Sequence, residues 1–444
     1  MCGNDSAPAL AKNEESDMTL DEFAAAFALN DTEKQFLADH RFDDIMVSFD
    51  GCPSFVQPDF YEPLLAKLKR HGSQLKALLS PLTAQIRADE RLQKFCHLTH
   101  YLWYSRKEDI PAYSAPMPKA DALLSADQAG LVSCLIALSA YPLWLATYTK
   151  LGVPASYADA CLLYFDGAVD EYRSGHDGVY GVAASKLNWV RHYVRGRLFR
   201  IGRFEFMMQE PLSSLPAVYR DQTNGRLVAL CRPDWRLRSD GLLQWRDEDP
   251  ADAYLVTRLE NSPASVKGTP IDPRGFALVN QTLELDLKRF APLFAPWDLV
   301  PGLHIPGGGG MTPELCAESF REAKVFFQKY FQRDIPAVTC FSWIFNPDFE
   351  AELPESNLAK LMRELYLCPF PYSGGVEGLQ FVFGRSEADW SAYPRDNSLR
   401  QAFHRLRESG RRLKAGGMII EDLGIKNFGT QHYRRQFAAG AASN

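Results

Sequence analysis

Gly302-Leu303-His304-Ile305-Pro306-Gly307-Gly308-Gly309-Gly310-Met311-Thr312-Pro313-Glu314-Leu315-Cys316 holds a short apolar run with one histidine, four consecutive glycines, a threonine able to cap a helix, and a proline at the first helical position. The order predicts a strand, a glycine-rich turn and a helix. Residues without side chains let a ligand approach the backbone closely. The N–H groups of the turn and of the first helical turn stay free for an anion, most naturally a phosphate. A mobile loop is the plain alternative for any glycine run. A P-loop is excluded, because Met311-Thr312 stands where a Lys-Ser/Thr pair is needed. The dinucleotide fingerprint is matched only trivially by a glycine run, and the surrounding elements come in the wrong order. Glu314 and Glu318 sit in the first turns of the helix, where they repel an anion.

Downstream, Cys316, Phe320, Ala323, Phe327 and Tyr330 recur at steps of four and three, predicting an amphipathic helix over 313–331. A strand at 337–345, a helix at 356–367, a strand at 378–383, a helix at 397–413 and a strand at 417–420 are expected next. Upstream, a helix at 182–195 runs into 196–207, whose second part alternates apolar and polar as a half-buried strand does. Strand-like runs continue at 226–231, 253–259, 276–287 and 300–305, with turn signals at Asn224-Gly225, Asp240-Gly241 and Pro273-Arg274-Gly275. Before Val153 the pattern is helical, with runs from Thr19 and at 31–39, 59–70, 73–87, 88–105 and 126–149, followed by one at 155–173. The division expected is a disordered start over 1–17, a helical domain over 18–153, a helical connector over 154–195, a mixed domain over 196–425 and a tail over 426–444.

The chain has 444 residues, 46% of them hydrophobic, ample for two globular domains. A net charge of −6 argues against a nucleic-acid partner, which wants a basic face. Nine cysteines without a Cys-x-x-Cys pair read as reduced thiols of a cytoplasmic protein. No uninterrupted apolar run approaches a membrane span, the start lacks the regions of a signal peptide, and 126–149 reads as a buried helix, so no membrane partner is expected. His97 and His100 share a helix face without a third ligand at helical spacing, and no metal is expected.

Strands followed by strand, glycine turn, helix, strand, helix and strand resemble the GNAT superfamily of acyl-CoA-dependent N-acyltransferases. The chain is similar to a bacterial family in which an all-helical N-acyltransferase N-terminal domain precedes a GNAT-like C-terminal domain. Gly202-Arg203-Phe204-Glu205-Phe206, Leu303-His304-Ile305-Pro306 with its glycines, Ser319 through Phe327, and Cys340-Phe341-Ser342-Trp343-Ile344 leading to Pro354-Glu355-Ser356-Asn357 carry the resemblance. It implies an α+β protein whose mixed, mostly antiparallel sheet is flanked by helices, with acyl-CoA as co-substrate and a small-molecule amine as acceptor. In such enzymes the glycine turn holds the pyrophosphate and splayed strands let the pantetheine pair like an added strand. Leu303, Ile305, Gly307, Gly308, Gly309, Gly310, Met311 and, from the helix at 356–367, Asn357 are the implied cofactor contacts. The leading Gln or Arg of the usual phosphate loop is absent.

Acyl transfer to an amine needs a base and an acid for the thiolate. His304 is the favoured base, since imidazole titrates near neutrality; a histidine hydrogen-bonded inside the core is its alternative. Glu205 is the second candidate, or an outward glutamate paired with Arg203 and Arg200. Tyr366 is the candidate acid, or a packing residue at a helix end. Ser342 lacks a nucleophile elbow. Glu205 with Asp286 makes a hydrolase pair if the two lie on adjacent strands. A non-catalytic protein binding a CoA-like or carbohydrate ligand is the other functional class. Arg191, His192, Arg195, Arg197, Arg200 and Arg203, and Arg405, Arg407, Arg411, Arg412 and Lys414, read as solvated faces or as a rim for an anionic cofactor.

Overall fold

The computed structural model describes residues 18–111, 115–307, 310–370 and 376–441; the disorder expected over 1–17 falls outside the described residues. Helices begin where the caps predict. Thr19 accepts from the Glu22 N–H at 3.3 Å while Glu22 accepts from the Thr19 N–H at 2.8 Å, and Asn30 and Glu33 repeat the arrangement at 3.0 and 2.9 Å. Each reciprocal pair satisfies two N–H groups that a helix start leaves open. The helices Ala126–Ser139 and Tyr141–Lys150 together have the length and composition to cross a membrane, yet 67% of their most apolar window is buried inside the protein. Three further helices, α1 (Ala155–Leu162), α2 (Tyr164–Gly175) and α3 (Lys186–Val194), complete the helical half.

The second half is built on a six-stranded sheet of β1 (Leu198–Ile201), β2 (Phe204–Met207), β3 (Gly302–His304), β4 (Ala337–Ser342), β5 (Tyr366–Pro369) and β6 (Gly416–Glu421), in the order β1-β2-β3-β4-β6-β5. All pairings are antiparallel except β3 with β4. The expected α+β fold with a mixed, mostly antiparallel sheet is the one observed. Between β2 and β3 the chain leaves the sheet and forms two three-stranded and two two-stranded small sheets. This excursion has a small core of its own in Val228, Leu230, Val266, Leu285 and Phe290.

Alternation along β1 and β2 sends their two faces to different neighbours. Phe199, Phe204 and Phe206 face α4 (Pro313–Phe331), with Phe199 at 5.0 Å from Phe326 and Phe204 at 5.3 Å from Phe320. Burying Phe320, Phe326 and Phe327 on this face contributes about 5–9 kcal/mol. Arg200 and Glu205 point the other way, to the helical half. Tyr148 donates to the Leu198 carbonyl at 2.6 Å, and one apolar core runs from Phe23 to Tyr433.

Two expectations are corrected. The run at 378–383 is not a strand but helix α6, Glu377–Phe383, which follows α5 (Asn357–Glu364) in the chain. Leu379 and Phe383 are buried four residues apart, and the missing side chain of Gly378 admits the rings of Trp343 and Phe403. The helix read over 356–367 stops at Glu364, and Tyr366 opens β5, because β6 offers Tyr366–Pro369 a full set of backbone partners. After 426 the chain forms a helix, His432–Ala441, whose Tyr433 is buried.

Candidate active site

The sheet opens between β3 and β4. β3 pairs with β2 along its whole length, Gly302 with Met207, Leu303 with Phe206 and His304 with Glu205. With β4 it shares a single register pair, Gly302 with Thr339, backed by the Thr339 N–H donating to the Pro301 carbonyl at 3.1 Å. On its other edge β4 pairs with β6 from Ala337 through Ser342. The facing edges of 303–305 and 340–342 therefore make no ladder with each other. An extended chain with its own amides and carbonyls can lie there as an added strand.

The glycine turn sits at the mouth of this gap. Thr312 caps α4, its hydroxyl accepting from the Leu315 N–H at 3.4 Å, and Pro313 fills the first helical position. Nothing lies within 4 Å of where a side chain at Gly310 would begin, so this part of the turn is open. Gly307 is explained differently: it abuts α2, where a side chain at Gly167 would start 3.3 Å from the Gly307 backbone. Gly308 and Gly309 fall outside the described residues. Arg203, on the β1–β2 turn, donates from Nε to the Gly310 carbonyl at 3.0 Å, which puts a buried cation against the turn. The side chain of Leu303 is buried, while Ile305 and Met311 are half-buried against the core. Asn357 is exposed at the start of α5. Glu314 is exposed on the first turn of α4. Its own backbone N–H and the Thr312 hydroxyl, then Lys360, hold its carboxyl below the usual range.

On the face toward the helical half, Arg200, Glu205 and His304 form one row across three strands. Glu205 is 1% exposed, so the outward salt-bridged reading is overturned. It accepts from the Tyr193 hydroxyl at 2.7 Å and from Trp189 Nε1 at 3.3 Å, and Arg200 Nη1 lies 3.8 Å away. Burial raises its carboxyl above the usual value, and Arg200, Tyr193 and Trp189 act against that rise. His304 packs edge-on against Trp189 with ring centroids 4.6 Å apart. Burial, reinforced by nearby His192, lowers it to about 4, so the ring is neutral near pH 7. Among the described residues no side chain hydrogen-bonds it, and the Trp189 ring is its packing partner.

The other candidates stand elsewhere. The Tyr366 hydroxyl donates to the Ile271 carbonyl at 2.7 Å and accepts from the Ala229 N–H at 3.2 Å, tying β5 to the excursion instead of reaching the gap. Asp286 lies exposed in a small three-stranded sheet, not beside Glu205, so the paired-carboxylate hydrolase is excluded. Ser342 caps the short turn at Trp343–Phe345. His97 meets Ser48 at 3.0 Å and His100 meets Ser139 at 2.6 Å, each on its own partner. The arginines expected on a solvated face do not share one: Arg191, Arg200 and Arg203 are buried, and Arg191, Arg195 and Arg197 converge on Asp109. Trp189 and Tyr193 were missed by sequence reasoning, although their i, i+4 spacing on a predicted helix puts both on one face.

This sheet order and its open parallel pair find a counterpart among known families. The model of the GNAT-like C-terminal domain family matches residues 198–419, half of the chain. The chain belongs to this family. The GNAT-like match starts with β1 and ends inside β6, and so takes in the gap, the glycine turn and the row of polar residues. Likeness to solved structures extends further. An acyltransferase in complex with decanoyl-CoA is 17% identical, with a TM-score of 0.54, covering 91% of this chain and 99% of that one. A mutant acyltransferase in complex with octanoyl-CoA gives 16% identity and a TM-score of 0.56 over 90% and 99% of the two chains. An acyltransferase in complex with decanoyl-CoA and teicoplanin gives 18% and 0.55 over 91% and 99%. At such identities the shared property is the fold, here of the helical half and the GNAT-like half together. No curated protein matches the chain.

Proposed function

We propose that this protein is an acyl-CoA-dependent N-acyltransferase acting on a small-molecule amine. The single observation that carries the proposal is the unladdered gap between β3 and β4 with an open backbone position at Gly310 and a capped helix at its mouth. A pantetheine arm fits the gap as an added strand. Its pyrophosphate meets the backbone at Gly310, which is open to a ligand, with Arg203 as the nearby cation. The solved neighbours hold decanoyl- or octanoyl-CoA, which supports the choice of co-substrate.

The neutral amine attacks the thioester carbonyl, and His304 takes the one proton that the attacking nitrogen, now positively charged, gives up. The new C–N bond forms, the C–S bond breaks, and protonated His304 returns the proton to the thiolate, so the step balances without Tyr366. Glu205, one strand away, counterbalances the imidazolium while it exists. We place the reaction in the cytoplasm, since all eight described cysteines are free thiols. The test is release of free CoA from decanoyl-CoA on adding a library of primary amines. Release that depends on the amine supports the proposal, and bound acyl-CoA without release under any amine overturns it.

A further inference from the structure

Trp343 directly follows β4 at the end of the gap, and its ring lies nearly parallel to that of Phe381, at 16° and 6.3 Å between centroids. Phe381 is 55% exposed and walls a surface cavity of about 570 Å³ with Leu379 and Trp390. Glu377, Glu387 and Gln380 supply polar groups of the lining. An apolar cavity of this size holds a drug-sized molecule.

Its charge is one-sided. Lys186 lies 5.2 Å from the Phe381 ring centroid but is paired with Glu171 at 2.7 Å. Arg407, over the Trp390 ring, is paired with Asp389 at 2.9 Å, Arg385 with Asp177 at 3.5 Å, and Arg400 with Asp396 at 2.9 Å. Each of these cations thus has a carboxylate. The side chains of Glu377 and Glu387 have no cation among the described residues, so the cavity presents two uncompensated negative charges beside aromatic walls. That combination attracts a protonated amine with an apolar body and leaves a neutral or acidic analogue without a partner.

We infer that this cavity receives the acceptor, and that the acceptor is an amphiphilic primary amine. The inference rests on the transferase reading, since only the stack of Trp343, the residue after β4, on Phe381 links the cavity to the gap, but its test does not. Full-length protein is titrated by calorimetry at pH 7 and low salt with 2-phenylethylamine and with its neutral counterpart 2-phenylethanol. The amine should bind about five- to tenfold more tightly. In the double variant Glu377→Gln, Glu387→Gln the preference should vanish while the alcohol binds as before, and Phe381→Ala should weaken both. Equal affinities in the unaltered protein, no binding of either probe, or a preference that survives the double substitution would overturn the inference. Binding of decanoyl-CoA, measured separately, reports on the transferase reading alone: amine binding without it keeps the cavity and sinks the enzyme.

Discussion

Replacing Tyr193 by Phe removes one oxygen from the centre of the polar row and leaves the ring packing on Trp144 and Tyr164 at 5.5 and 6.2 Å. The lost bond is the 2.7 Å donation to Glu205 Oε1, a buried bond to an ionisable acceptor. Bonds of that kind contribute about 1.5–3 kcal/mol, and urea unfolding should show a loss of this size. Catalysis should respond as well. The Tyr193 bond is among the influences that hold the Glu205 carboxyl down against burial, so without it the carboxyl rises further. The acidic limb of kcat/KM should then move to higher pH. Tyr366→Phe is the control. It removes two neutral hydrogen bonds from an equally buried site, costing about 1–3 kcal/mol, yet Tyr366 ties down only Ile271 and Ala229. Its pH profile should superimpose on that of the unaltered protein. Superimposable profiles for both variants, or a shift produced by Tyr366→Phe, would refute the assignment of the polar row.

Three further outcomes follow from the geometry. His304→Gln should lower amine-dependent CoA release by about 10²- to 10⁴-fold while decanoyl-CoA binding, followed by calorimetry, changes little. Gly310→Ala should leave the urea midpoint unchanged, since nothing lies within 4 Å of the new methyl, but weaken decanoyl-CoA binding because the backbone there must touch the ligand. His100, His192 and His304 are each lowered by burial from 6.5 to about 4, so the folded protein stays neutral at these sites where the unfolded chain takes up protons. Their contribution is complete above about pH 6.5 and falls toward pH 4, by about 1 kcal/mol per pH unit for each histidine. Urea unfolding at pH 7, 6 and 5 checks the slope.

Local chemistry carried the parts of this fold that were readable in advance. Thr312 and Pro313 announce α4, and its apolar steps run to its end because cap, proline and period all act within one helix. At 378–383 the same logic failed: Leu379, Phe381 and Phe383 fit a period of two, while Leu379 and Phe383 also fit a helix, and the deciding contacts come from Trp343 and Phe403. β5 was hidden for a related reason, as Tyr366 continues an apolar run whose change to a strand depends on β6, some fifty residues later. Within the site, His304 and Glu205 were legible as residue types out of place in apolar strands. Their adjacency was not, because the 94 residues between β2 and β3 hide the pairing that sets them side by side. Arg200 and Arg203 looked solvated, since a charged residue in a strand reveals nothing about the helical domain that covers it.

Hydrogen exchange of the full-length protein with and without decanoyl-CoA measures the central claim directly. Backbone amides of 303–311 and 340–342 should slow when the thioester binds, with little change in the excursion between β2 and β3. Binding that protects other regions and leaves both edges of the gap exchanging as before would contradict the account.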